Sequence, residues 1–418
     1  MLCLRGCYRK RCLLLMVSTL SSSAEPSELK AIPFACQGCG SCCTSVRILI
    51  DPEQALALDE RPWVQALFST YGLTWQDTTD VQWRIPLKPD RTCIFLSDDK
   101  RCEIHANEGL ALKPSVCKAF PFAPVDTPQG MRVDTAASCQ WIATTLLSAQ
   151  QPIVPASDES PPPATTESPI AVLTTIRLGT GWIGQGPRWT MAQYQQWEQE
   201  VWSAAVSADS PQRVFSLLAM ATHAVLSQTP QWSDPHSPAF LWTPWAKMLY
   251  QALLFYYHRW PYGVFSQWQW VGQNIWRDPK VFGDVPISLL PLLHQRKTLL
   301  FSPTLDALHA GFESADDAEQ ATQTLVGFAR HLLTRKIPLA HGSTLAQVVL
   351  TAWLAVGFVV GYALALAALN TRSRLVARDV QAAIQLVERY YTGHQPHFLH
   401  RMRQVPWAGA VLRLLAGR

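Results

Sequence analysis

Apolar and polar positions divide this chain into an early part of short, interrupted apolar runs and a later part with helical spacing. In the early part, residues 46–50 and 81–87 predict strands. Between them Asp51 and Pro52 open a predicted helix to about residue 68, since Asp caps free amides and Pro suits a first turn. The run TCIFLSDDKRCEIH predicts a hairpin turning at 97–100, with Cys93 and Cys102 on its arms. A second hairpin is predicted from residues 122–126 and 131–135 around the turn 127–130, and Cys139 follows directly. Later, Thr190 and Gln193 form a capping-box pattern that opens a helix through Ala205. Residues 212–227, 244–258, 318–334 and 375–391 also have helical spacing or composition, and no internal repeat emerges.

Residues 345–369 carry no charge over 25 positions, enough to span a bilayer, and include the Gly357-x-x-x-Gly361 packing motif. Alanines are frequent in this run, and basic residues flank both ends: Arg330, Arg335 and Lys336 before it, Arg372 and Arg374 after it. The expectation is a helix buried in a bundle, with a membrane span as the alternative. Residues 152–169 are rich in Pro, Ser and Thr and predict a linker. The expected organisation is an N-terminal extension (1–30), a cysteine-cluster metal-binding domain (31–151), the linker (152–169) and an α-helical domain (170–418). The expected fold class is α+β.

Composition sharpens this picture. At 418 residues the chain has room for two or three domains, and 48% hydrophobic against 16% charged residues excludes a disordered chain. A net charge of +4 is too small to indicate nucleic acid. The N-terminal basic residues Arg5, Arg9, Lys10 and Arg11 precede an apolar run at 12–17 that is shorter than a usual signal-peptide core. Met16 is an alternative start, and a cytoplasmic location is expected.

The cysteines carry the chemistry. Cys36, Cys39, Cys42 and Cys43 stand together in FACQGCGSCC, and Cys93, Cys102, Cys117 and Cys139 follow, with none beyond. Cys3, Cys7 and Cys12 show no partner pattern. A chain of this length needs no disulfide staples, so clustered thiols point to a soft metal. Cysteines at i, i+3 and i+6 around Gly38 and Gly40 suit an iron–sulfur cluster: Cys36, Cys39 and Cys42 would hold three irons, with Cys93, Cys102 or Cys117 as the fourth ligand. Cys43 would then face elsewhere. Zinc fits equally, because eight thiolates make two closed tetrahedral sites. Arg91, Lys100, Arg101 and Lys118 either offset thiolate charge or are solvated surface groups.

The runs FACQGCGSCC, CIFLSDDKRCEI, KPSVCKAFPF and SCQW, spanning about residues 33–141, resemble the CxxCxxCC cysteine-cluster family, for which zinc or iron chelation is proposed. The resemblance implies that all eight cysteines from Cys36 to Cys139 occupy family cysteine positions. Three features depart from its pattern: His105 stands where a Tyr is usual, Lys113-Pro114 where Arg-Pro is usual, and the Cys102–Cys117 spacing is longer. His105 is a candidate ligand or a surface histidine. Further on, ARHLLTRKIPL, the apolar run and DVQAAIQLVERYYTGHQPHFLHRM resemble the C-terminal part of flagellin lysine-N-methylase-like proteins. That resemblance implies a helical domain rather than a membrane span, and it assigns no catalytic residue.

Two further motifs are decoys. Gly179, Gly181 and Gly184 match GxGxxG, yet Gly186-Pro187 interrupts before any helix begins, against a dinucleotide site. His394, His397 and His400 lie in a basic tail without a carboxylate or thiol nearby. Three functions stay open: a redox or regulatory metal-cluster protein, a metal-dependent protein-modifying enzyme such as a lysine-N-methylase-like protein, and a structural zinc module whose helical domain binds a protein partner.

Overall fold

The computed structural model describes residues 32–145 apart from 35, 37, 44–47, 77, 80 and 91, together with 153–155, 171–179, 187–206, 211–231, 311–388 and 392. It is an α+β protein with a cysteine-rich region containing a hairpin, followed by a helical region. The predicted helix 244–258, the basic tail with its three histidines and the N-terminal extension lie outside the described residues.

Strand β1 (Ile32–Phe34) leads into the cysteine loop, which ends in a single 3-10 turn at Ser41–Cys43. Strand β2 (Leu49–Ile50) pairs antiparallel with β3 (Trp83–Arg84), both shorter than the runs predicted for them. Between them the predicted helix forms, but as two: α1 (Pro52–Asp59) and α2 (Pro62–Tyr71). The Asp51 carboxylate caps α1 by accepting the Glu53 and Gln54 amides at 2.8 and 3.4 Å. The break falls at Arg61, which is extended (φ −84°, ψ 125°) because Pro62 disfavours helical geometry in the residue before it.

The predicted first hairpin is only partly formed. A turn closes between Ser97 and Arg101, and Leu96 bridges Cys102, but the second arm is a helix, α3 (Glu103–Glu108). Helix α4 (Ser115–Ala119) carries Cys117. The second hairpin forms as predicted: β4 (Phe122–Thr127) pairs antiparallel with β5 (Gly130–Thr135) in continuous register, and Cys139 sits just before α5 (Gln140–Thr145). Strand β6 (Ile153–Pro155), at the start of the Pro-, Ser- and Thr-rich run, pairs parallel with β1. Strand β7 (Ala171–Val172) adds to β4 in parallel, and β8 (Ile176–Arg177) pairs antiparallel with β9 (Arg188–Trp189).

The helical region contains α6 (Met191–Val206), α7 (Pro211–Ser227), α8 (Ala315–Thr334), the short α9 (Ile337–Ala340), α10 (Leu345–Leu369) and α11 (Ala377–Val387). Its caps follow from side chains: the Gln193 carboxamide accepts the Thr190 amide at 2.9 Å, and the Thr190 hydroxyl accepts the Gln193 amide at 3.3 Å. Ser314 caps α8, and Asp317 on α8 accepts the Ala377 amide at 2.9 Å, tying α11 to α8. Helix α10 is apolar all round and is enclosed by α7, α8 and α11. Its span Leu345–Leu364 is long and apolar enough to cross a membrane, and it is fully buried here by protein. Within it, buried Trp353 donates its indole N–H to Thr222 Oγ1 at 2.9 Å.

Two apolar cores result. The smaller gathers α1, α2 and the stretch Cys93–Leu96, with an aromatic group of Phe68, Trp75 and Phe95 at its centre. The larger joins α6, α7, α8, α10 and α11 to Phe122, Val125, Cys139 and Ile142. The β4–β5 hairpin is fastened to the helices by a polar contact as well. Buried Asp134 on β5 accepts the amides of Lys336 and Ile337 at 2.6 and 2.7 Å, capping α9. The Lys336 ammonium in turn pairs with Glu198 on α6 at 2.5 Å.

Candidate metal centre

The cysteine loop can turn because of its glycines. Gly38 and Gly40 both lie in the left-handed region, at φ +59° and +71°. At Gly40 a Cβ would also meet the Lys100 Cβ at 3.3 Å and Leu96 at 3.4 Å, so the loop is pressed against the turn that carries Cys93 and Cys102. The Cys43 amide then donates to the Gly40 carbonyl at 3.0 Å, and the Cys43 carbonyl accepts the Cys93 amide at 2.7 Å. These two bonds bring the loop alongside the second cysteine group. Cys117 reaches the same place from α4, whose first turn starts at Pro114.

All eight cysteines from Cys36 to Cys139 are free thiols. Cys36 and Cys42 are exposed, Cys93 and Cys139 are buried, and the other four are intermediate. The Cys42 and Cys43 sulfurs are 3.8 Å apart. The Cys43 thiol is pushed far up by its contact with Cys42, then by burial and by the neighbouring Cys42, Cys93 and Cys117. Burial raises Cys93 to about 12, with Cys102 and Cys42 adding to it and the Lys88 ammonium opposing. Burial also raises Cys117, with Cys93, Cys102 and Cys42 adding and Lys113 opposing. Cys139 is raised to about 11, first by burial, with Cys39 and Cys42 as its thiol neighbours.

A cluster of thiols that resist ionisation together is what a soft cation reverses: the metal replaces the protons and removes the mutual repulsion. Among the described residues, no three Cys, His, Asp or Glu side chains are already placed to hold one ion. The donor set fits a thiolate-bound metal in number and softness.

Of the other candidates, His105 is exposed on α3. Of the cations nominated from sequence, Arg101 is exposed and pairs with Asp99, and Lys118 donates to the Ala111 carbonyl at 3.1 Å. Lys100 forms part of the wall that Gly40 faces, and Arg91 lies outside the described residues. Among the described residues, the Lys88 and Lys113 ammonium groups oppose the rise of Cys93 and Cys117, and sequence reasoning missed both. Lys88 also donates to the Leu96 carbonyl at 2.5 Å, fixing it beside the Cys93 turn. The signal for both was their placement four or five residues before a cysteine. Gly179 has φ +72° and is pressed against Thr344, so packing explains this glycine; the rest of the GxGxxG run lies outside the described residues.

A cysteine centre of this kind defines a thiolate metal-binding domain. Residues 35–143 match the model of the CxxCxxCC family, described as "Putative zinc- or iron-chelating domain". The match covers the cysteine-rich region and ends within α5, before the helical region that begins at α6. No curated protein and no solved structure matches the chain.

Proposed function

We propose that this is a metal-cluster protein of the cytoplasm whose clustered cysteines, between Cys36 and Cys139, hold iron as an iron–sulfur cluster with Cys36, Cys39 and Cys42 among its ligands, in a redox or regulatory role. The observation that carries this reading is the i, i+3, i+6 cysteine loop, bent by two left-handed glycines and laid against the Cys93 turn. Such a loop lets backbone amides approach cluster sulfurs, as a bacterial ferredoxin loop does. Cys36 and Cys42 are exposed, which keeps one side of the centre open to a reductant, an oxidant or a partner protein. When bound, the cluster supplies one-electron redox chemistry. The chain supplies thiolates, an apolar back wall from the smaller core, and ammonium charge from Lys88 and Lys113. A reducing cytoplasm keeps such thiols available for metal.

An enzymatic version of this reading, in which the helical region presents a substrate protein to the cluster, rests on the sequence resemblance of the C-terminal part to flagellin lysine-N-methylase-like proteins alone, and no comparison repeats that resemblance. The direct test is anaerobic purification of the full chain with iron, zinc and acid-labile sulfide analysis and a visible spectrum. Iron and sulfide in comparable amounts, with broad visible absorption, are expected. Stoichiometric zinc without sulfide or colour would overturn the iron assignment in favour of a structural zinc module.

A further inference from the structure

Lys88 is a half-buried cation for which, among the described residues, the fold provides no carboxylate. Its ammonium donates to the Leu96 carbonyl at 2.5 Å and stands 5.0 Å from the centre of the Tyr71 ring, at the end of α2. The nearest acid in sequence, Asp90, is committed elsewhere: its carboxylate accepts the Thr92 amide at 3.0 Å and the Thr92 hydroxyl at 2.7 Å. Desolvating an ammonium without a counter-charge is unfavourable, so a cation kept in such a place points to a negative group that it serves.

The backbone around Lys88 identifies that group. Leu87 bridges Cys93, the Lys88 amide donates to the Thr92 carbonyl at 2.7 Å, and the Leu96 amide donates to the Cys93 carbonyl at 2.9 Å. Leu96 also bridges Cys102, and its side chain lies 3.4 Å from where a Cβ on Gly40 would stand. The Lys88 side chain therefore spans the turn that carries Cys93, and the residue it grips braces the cysteine loop. Four thiolates around zinc, or around a [4Fe–4S] cluster, leave a centre of net negative charge beside it.

Resting on the reading that the clustered thiols bind metal, whether iron or zinc, we propose that Lys88 is a positioning residue of the metal centre. Its ammonium clamps the Cys93 turn beneath the cysteine loop and serves as the counter-charge of the bound thiolates. The two roles act in the same direction. The clamp keeps the donors oriented, and the charge favours thiolates and, in a cluster, the more negative reduced state.

The test uses anaerobically prepared full-length protein and two variants. Lys88→Met keeps an unbranched apolar stem against Tyr71 and removes the charge, while Lys88→Arg keeps the charge. Lys88→Met is expected to give up metal to a competing chelator about 10–100-fold more readily than the wild type, the range usual for outer-shell groups. In iron-loaded protein its reduction potential should also fall, because an electron is then added without the nearby positive charge. Lys88→Arg is expected to stay near the wild type in both. Metal retention in Lys88→Met equal to the wild type, or a Lys88→Arg as weak as Lys88→Met, overturns the proposal. A second measurement needs no variant: wild-type protein is labelled with a small amine-reactive ester, with and without metal, and the modified lysines are mapped. Metal is expected to protect Lys88 several-fold more than Lys100, whose Cβ stands in the same wall beside Gly40. Equal protection of the two overturns the role of Lys88 while metal binding stands. Wild-type protein that takes up no metal overturns the reading on which the proposal rests, and the proposal with it.

Discussion

Replacing Glu388 by Gln is expected to remove about 3 kcal/mol of stability at neutral pH. Glu388 is fully buried, and its carboxylate pairs with the Arg335 guanidinium at 2.8 Å, with His331 4.0 Å away and the Thr392 hydroxyl donating to it. Burial alone would raise this carboxyl, but Arg335, then His331 and Thr392, outweigh it and hold it at about 2. The fall from 4.5 to about 2, at about 1.36 kcal/mol for each pH unit, corresponds to about 3 kcal/mol. That agrees with the roughly 3–5 kcal/mol typical of removing one member of a buried pair and stranding the other. The sign follows from the lowered carboxyl: its contribution is complete above about pH 4.5 and is lost as pH falls towards 2. Urea unfolding followed by tryptophan fluorescence at pH 7 and at low pH tests both parts. The wild type should lead Glu388→Gln by about 3 kcal/mol at pH 7, and the two should converge near pH 2. The double variant Arg335→Met/Glu388→Met should recover most of the loss, because no charge is then left buried alone. A gap below about 1 kcal/mol at pH 7, or one that persists undiminished near pH 2, would refute the reasoning.

Other positions are as exposed to test. Asp134→Ala leaves two α9 amides without their acceptor and should cost about 2–4 kcal/mol, seen as a lower unfolding midpoint and faster hydrogen exchange at 336–337. Gly179→Ala meets both a left-handed backbone and Thr344, and a loss above about 2 kcal/mol is expected; a neutral result would mean that the 178–179 turn relaxes freely. Gly40→Ala should lower metal content more than Gly38→Ala does. Both share a positive φ, but only at Gly40 does the added methyl press on Leu96 and Lys100. Equal metal content in the two variants would contradict that difference.

The elements specified by local chemistry were legible in the sequence. Asp51 and the Thr190–Gln193 pair cap their helices as read, the β4–β5 hairpin turns where 127–130 predicted, and the uncharged run forms α10 from Leu345 to Leu369. The break at Arg61 was signalled by Pro62, but the apolar spacing across it looked continuous. The second arm of the first predicted hairpin became α3, because one bridge at Cys102 is too little pairing to hold EIHANE extended. Parallel pairing of β1 with β6 and of β4 with β7 is set by partners far away in sequence, so no local pattern announced it. In the site, cysteine spacing revealed the donors. It did not reveal that Cys139 sides with the helical core or that Lys88 and Lys113 are the cations in reach, since both depend on packing.

The parallel ladder between β1 and β6 has a mechanical consequence. Ile32 lies opposite Ile153 and Phe34 opposite Pro155, so the polypeptide that carries every cysteine from Cys36 to Cys139 leaves and returns through one short clasp. Tension applied between the segments that precede Ile32 and follow Pro155 loads the clasp before it loads a sulfur. Pulled from those ends, the protein should first yield there, with the cysteine segment still knotted by its own contacts and by Asp134.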